Sequence, residues 1–96
     1  MASVQLRRYE LPAEDMSAFV DWWRTSLVPV RAAFGFTVVF ACADHTGGEF
    51  TWAVAHDGDF AAAEATYVDS PERTAALASV PTRTTAQHIS MVDQVV

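Results

Sequence analysis

Lysine is missing from this 96-residue chain; its six basic side chains are all arginine. Acidic residues number twelve, giving a net charge of −6, which argues against loose attachment to nucleic acid or to an anionic membrane. Cysteine occurs once, at Cys42, so no internal disulfide can form. With apolar neighbours on its segment, Cys42 is expected to be a small buried residue. The opening "MASVQLRRYE" carries no apolar core of a secretory leader, and no apolar run approaches the roughly 20 residues of a membrane-spanning helix. These absences lead to the expectation of a cytoplasmic protein with no membrane and no nucleic-acid partner. Zinc-type His/Cys spacing, a glycine-rich phosphate loop and a nucleophile elbow are likewise not found, so no metal site and no cofactor is expected.

What is present is a globular composition. Apolar residues make up 51% of the chain, enough for one core, and the whole of 1–96 reads as a single domain. Val4 to Leu11 reads as a strand, broken by Pro12. Glu14 and Asp15 suit a helix's first turn. Apolar residues then fall at Met16, Phe19, Val20, Trp23, Leu27, Val30 and Phe34, the spacing of an amphipathic helix. Pro29 should kink it or restart it near Leu27, and Gly35 should close it. "FTVVFACAD", the turn "HTGG" and "EFTWAVAH" form a hairpin. Asp59 caps a short helix over 60–68, and Ser70-Pro71 starts another to about Ala78. "QHISMVDQV" is the last strand.

The order βαββαβ predicts an α+β, ferredoxin-like fold: a four-stranded antiparallel sheet with helices on one face. A hairpin loop of residues 45–48 pairs Asp44 with Glu49, Cys42 with Thr51, Phe40 with Ala53 and Val38 with Ala55. Both faces of that hairpin are then apolar, unlike a half-solvated sheet. Helices cover one face only. The other is expected to close on a second copy, making a homodimer with a chamber enclosed between facing sheets.

The residues also resemble a known family. "VQLRRYELPAEDMSAFVDWW" followed by "LVPVRAAFGF" is similar to the opening of NIPSNAP-family domains, a strand of the type E-L-R-x-Y and a helix ending P-L-R-x-x-x-G-F. The matching residues are Leu6, Arg7 and Tyr9, then Pro29, Arg31, Gly35 and Phe36, with Gln5 in place of the usual acid. The hairpin and following helix, "GGEFTWAVAHDGDFAAAEA", also resemble that family, though His56 stands where tyrosine is common. The resemblance implies a dimeric α+β barrel. That superfamily includes cofactor-free monooxygenases, polyketide cyclases, isomerases, haem-degrading enzymes and members without known activity, so the resemblance fixes no reaction.

Candidate site residues follow from strand alternation. Gln5, Arg7 and Tyr9 share one face, while Val4 and Leu6 suit the helix-covered side, with Arg8 reaching outward. Arg7 inside an apolar chamber needs a partner, either an internal acid such as Glu10 or Asp93 or a ligand's carboxylate or enolate. Tyr9 is a hydrogen-bond donor for an oxyanion or a packing residue. His56 and His88 are candidate proton carriers, or else a turn-stabilising and a solvated group. His45 falls in the hairpin turn. Phe50, Trp52, Tyr67 and Trp22 are the candidate walls. Two readings stay open. One is a small-molecule-binding protein, extending to a cofactor-free cyclase, isomerase or monooxygenase, that acts on a compact apolar or aromatic oxygenated molecule. The other is a non-catalytic assembly protein with a filled barrel.

Overall fold

Strand β1, Ser3–Glu10, lies at the centre of the molecule in a computed structural model that describes residues 3–96. It pairs antiparallel with β3 (Glu49–His56) on one side and with β4 (Ala86–Val92) on the other. Strand β2 (Thr37–Asp44) completes the sheet beside β3, in the order β2-β3-β1-β4. Three helical stretches cover one face. They are the long segment through α1 (Met16–Trp22) and α2 (Val28–Ala33), then α3 (Phe60–Val68) and α4 (Pro71–Ala78). This is the α+β, ferredoxin-like arrangement expected from the element order.

The long helical segment does not simply kink at Pro29. It begins as a short 3-10 turn over Ala13–Asp15 and widens into a π-helical turn over Trp23–Leu27. There the Val28 N–H donates to the Trp23 carbonyl, five residues back, so the widened turn comes just before Pro29. The wider turn has a packing consequence. Residues four apart on a regular α-helix drift sideways, by about 120° over three such steps. The π turn absorbs part of that drift, and Phe19, Trp23, Leu27 and Arg31 all stay buried.

The hairpin keeps most of its expected register. Phe40 pairs with Ala53, Cys42 with Thr51 and Asp44 with Glu49. Beyond Phe40 a bulge inserts Val39, so Val38 faces Val54 and not Ala55. Val38 thereby joins the helix-covered core, on the side opposite to Phe40. The turn is held by Asp44, whose carboxylate accepts from the N–H groups of Thr46 and Gly47 at 3.0 and 2.8 Å. Those two bonds hold the Asp44 carboxyl below its ordinary value. Gly48 adopts φ +73°, and a Cβ there would lie 2.3 Å from the Leu11 carbonyl oxygen, so the turn can dock on the end of β1 only through glycine.

The face assignment of β1 is the reverse of the expectation. Tyr9, with Phe50, Trp52 and Val54 of β3, belongs to the core beneath the helices. Val4 and Leu6 lie on the uncovered face with Arg8, because they pair with Ala55, Ala53 and Thr51 there. The reason is volume. The helices bring Phe19, Trp22, Trp23, Phe60 and Tyr67 down onto the sheet, and large aromatics oppose them better than the small Ala53 and Ala55. Trp23 meets Phe50 and Trp52 edge-on, with centroids 5.1 and 5.4 Å apart, and Phe19 meets Phe50 at 5.3 Å. Each such pair adds about 0.5–1.5 kcal/mol beyond area burial. Cys42, expected buried, is exposed on the uncovered face.

Candidate functional site

A cavity of about 340 Å3 opens between the helices and the β1–β4 half of the sheet. It lies within a single chain, under the helices, and not between facing sheets as the sequence suggested. Its volume is at the small end of the range for ligand pockets, about ten water molecules' worth of space. Phe19, Trp22 and Leu27 of the long helical segment, with Leu77 and Val80 from the α4 end, give it an apolar wall. Arg7 and Tyr9 form part of the floor, and Arg31, Tyr67 and Arg73 line the helical side.

Arg7 reaches this space because alternation on β1 puts it beside Tyr9 and opposite Trp52. Its Nε donates to the Tyr9 hydroxyl at 2.7 Å, and its Nη1 donates to Gln5 Oε1 at 2.6 Å. The acid nearest to it is Glu64 of α3, 3.7 Å away, and not Glu10 or Asp93. Glu10 is an odd number of positions from Arg7 along the strand, so it points to the opposite face. The Tyr9 oxygen accepts from a cation, which leaves its own proton for a further acceptor.

Arg31 is the most enclosed charge of the site, only 2% exposed. Its guanidinium grips Glu64 through Nη1 to Oε2, with Nη2 to Oε1 at 3.4 Å. It lies over Tyr67 at 4.0 Å and over Phe36 at 4.8 Å, ring faces that partly replace its lost water. Its Nε finds no hydrogen-bond partner among the described residues. Tyr67 sits between Arg31 and Arg73, the latter 5.6 Å from the ring centroid. Burial raises the Tyr67 phenol above its ordinary value, and the neighbouring guanidiniums only partly offset this.

The mouth is built by the loop after α4. Its Thr85 N–H donates to the Glu10 carbonyl at 2.7 Å, and Thr82 Oγ1 donates to Asp15 Oδ2 at 3.0 Å. Those two ties clamp the loop across the start of the long helical segment and set Arg83 at the rim. On the other side Trp22 is fixed by its indole N–H donating to the Ala76 carbonyl at 2.9 Å, which ties α1 to α4.

Of the residues singled out by sequence, Arg7, Tyr9, Trp22 and Tyr67 meet at this cavity. Phe50 and Trp52 lie beneath it as fully packed core and do not line it. His56 is at the far end of β3, opposite Ser3, where its Nδ1 accepts from the Gly58 N–H at 2.9 Å and its ring meets Phe36. His88 pairs with Arg8, so it lies on the uncovered face, half exposed, 3.5 Å from Glu10. Neither histidine reaches the cavity. Sequence reasoning passed over Arg31 as a site residue, and it missed Glu64, Arg73 and Arg83. A signal existed for two of them. Arg31 is four residues beyond Leu27 on the apolar stripe, and Glu64 stands between Phe60 and Tyr67 on the buried side of α3. Among the described residues no cluster of three metal-ligating side chains occurs, and no helix is long and apolar enough to cross a membrane.

No family model matches the sequence, and comparison with curated proteins finds no match. Solved structures do match. An uncharacterized NIPSNAP domain protein from Burkholderia xenovorans superposes with a TM-score of 0.80 at 16% identity, over 98% of this chain and 94% of that one. A NIPSNAP family protein of unknown function from Agrobacterium tumefaciens gives 0.81 at 14% identity, over 95% and 86%. A provisionally described antibiotic biosynthesis monooxygenase from Caulobacter crescentus gives 0.76 at 18% identity, over 98% and 90%. The chain therefore has the fold that NIPSNAP-family structures share with their monooxygenase-type neighbours.

Proposed function

We propose that this protein binds a compact, largely aromatic or apolar oxygenated molecule in the cavity between its sheet and its helices. The observation that carries this reading is the cavity's make-up, an aromatic and aliphatic wall facing convergent polar groups from Arg7, Tyr9 and Tyr67. Neither partner candidate from the sequence fills it, and the side chains that do fill the sheet face, Phe50 and Trp52, stop beneath it. The likeness to a protein described as a monooxygenase makes oxygenated aromatics the first compounds to try.

Trp22 offers the test. The chain has three tryptophans, and of these Trp22 alone lines the cavity. Its indole N–H resonance, assigned through Trp22→Phe, should move when a neutral aromatic probe such as 2-naphthol is added, while the Trp23 and Trp52 signals hold still. A Trp22 signal unmoved by every aromatic probe, neutral or charged, would sink the reading.

One observation favours cofactor-free catalysis over mere binding. Because Arg7 donates to the Tyr9 oxygen, the Tyr9 proton is available to a developing enolate or alkoxide in the cavity. The proton acceptor in such a reaction would not be His56 or His88, which lie elsewhere. If turnover is found, Tyr9→Phe should lower kcat with little change in KM; an unchanged kcat removes Tyr9 from the chemistry.

The reading includes a homodimer. Phe40 is 44% exposed on the uncovered sheet face, with Val92, Leu6 and Cys42 on the same side. A second copy of the same face would cover them, and a domain this small gains from such a partner. Sedimentation at micromolar concentration tests it, and a lone 10.5 kDa species overturns it.

A further inference from the structure

Four of the six arginines in the chain, Arg7, Arg31, Arg73 and Arg83, line the one cavity described above. The protein as a whole is acidic, so this concentration of positive charge runs against its overall balance. Only Glu64 lies within ion-pair distance of any of the four among the described residues, and it is shared between Arg7 and Arg31. Arg73 and Arg83 have no carboxylate partner there. Counted as formal charges, the site is three positive charges in excess of its single carboxylate.

Arg31 is buried, Arg73 half-buried and Arg83 exposed at the rim, so the four like charges leave the cleft positive, a potential that a bound anion would relieve. The arrangement is also ordered by depth. The inner pair, Arg7 and Arg31, is fixed on Glu64 and on aromatic rings. The outer pair stands on two separate elements. Arg73 leans on Tyr67 from α4, while Arg83 is carried by the clamped loop at the rim. Both line a space whose other wall is apolar.

We infer that the ligand is a dianion: an aromatic or alicyclic body carrying two carboxylates or one phosphate, its charged end held by Arg73 and Arg83 and its ring against Phe19, Trp22 and Leu27. This rests on the cavity being the binding site, and it adds the charge of the ligand to that reading. Guanidinium forks suit carboxylate and phosphate oxygens alike, because both present paired acceptors in a plane. The positive cleft would also draw an anion in against the repulsion of the negative surface, through field lines focused by its apolar walls.

The experiment is a titration of the 96-residue chain with four probes, 2-naphthol, benzoate, phthalate and phenyl phosphate, followed by calorimetry and by the Trp22 indole resonance. The expected order is phthalate or phenyl phosphate at least tenfold tighter than benzoate, with 2-naphthol weakest. Dianion affinity should fall as salt is raised, and the naphthol affinity should not. Preference between phthalate and phenyl phosphate identifies which oxyanion source the site suits. Arg73→Gln and Arg83→Gln are at or near the surface, and circular dichroism checks their folding. Each should bring phthalate affinity down toward that of benzoate while leaving 2-naphthol unchanged. If 2-naphthol and phthalate bind equally at the Trp22 signal, the dianion assignment is overturned and the cavity reading stands. If no probe moves Trp22, both fall.

Discussion

The guanidinium of Arg31 lies 4.0 Å from the centre of the Tyr67 ring, a cation set against a neighbouring phenol inside the core. Arg31 comes from α2 and Tyr67 from α3, so the contact joins two helices of the layer that covers the sheet. Glu64, one turn before Tyr67, fixes the cation there. The long helical segment and α3 are thereby tied by charge as well as by packing, and the cavity opens beside the tie.

Removing the carboxylate should therefore cost more than an ordinary surface change. Glu64→Gln leaves Arg31 buried without its counter-ion. The expected loss lies at the low end of the about 3–5 kcal/mol seen when one partner of a buried pair is removed, because Glu64 is itself partly exposed. Urea unfolding measures it. A loss below about 1 kcal/mol would mean that the aromatic rings and solvent suffice for Arg31.

The Tyr67 phenol should titrate late. Its folded value is raised above the ordinary 10.0 by burial, so the neutral form is the one the fold prefers. Stability from this source is complete below pH 10 and is lost as pH rises from there through the folded value. Near-ultraviolet titration should show a late tyrosine step that Tyr67→Phe removes. Arg73→Gln should move that step later still, since Arg73 is one of the charges that pull it down. A tyrosine titration above pH 10 left unchanged by Tyr67→Phe would refute this account.

Gly48→Ala should destabilise the protein by more than about 1 kcal/mol, through its positive φ and its clash with the Leu11 backbone. Gly58→Ala is the control. It has no positive φ, and the new methyl would meet only the His56 ring at 3.2 Å. Thermal unfolding of the pair should separate them by several degrees, and equal melting temperatures would contradict the close approach at Gly48.

Phe40→Glu should shift any dimer toward monomer. It places a charge on the uncovered face at a position far from the cavity, so the naphthol response of Trp22 should persist. A variant whose sedimentation matches that of the parent would remove Phe40 from the interface.

Alternation along the strands and apolar spacing along the helices carried the element order, most of the hairpin register and the sharing of a face by Arg7 and Tyr9. They could not carry which face the helices would choose. Both sides of the hairpin are apolar, and the choice depends on whether Trp23 and Phe19 meet Trp52 or Ala53, a question of volume across elements far apart in sequence. Val39 illustrates a second limit. A one-residue bulge leaves composition untouched yet moves Val38 from one side of the sheet to the other. The histidines drew attention as titratable groups, but strand position decides their surroundings, and it takes His56 to a turn and His88 to the opposite side. Arg31 was visible as part of the family-like pattern and Glu64 as a charge standing in an apolar row, but the significance of each depends on finding the other.

The widened turn at Trp23–Leu27 has an evolutionary and engineering corollary. It amounts to one extra residue accommodated within a helix. Excising a residue there would let the segment relax to uniform winding with everything downstream still in phase, because the widened turn spends one residue more than an α turn on the same rotation. Arg31 would keep its aromatic cage, whereas excising a residue from a regular turn on either side would swing it about 100° around the axis and cost the cleft its deepest cation.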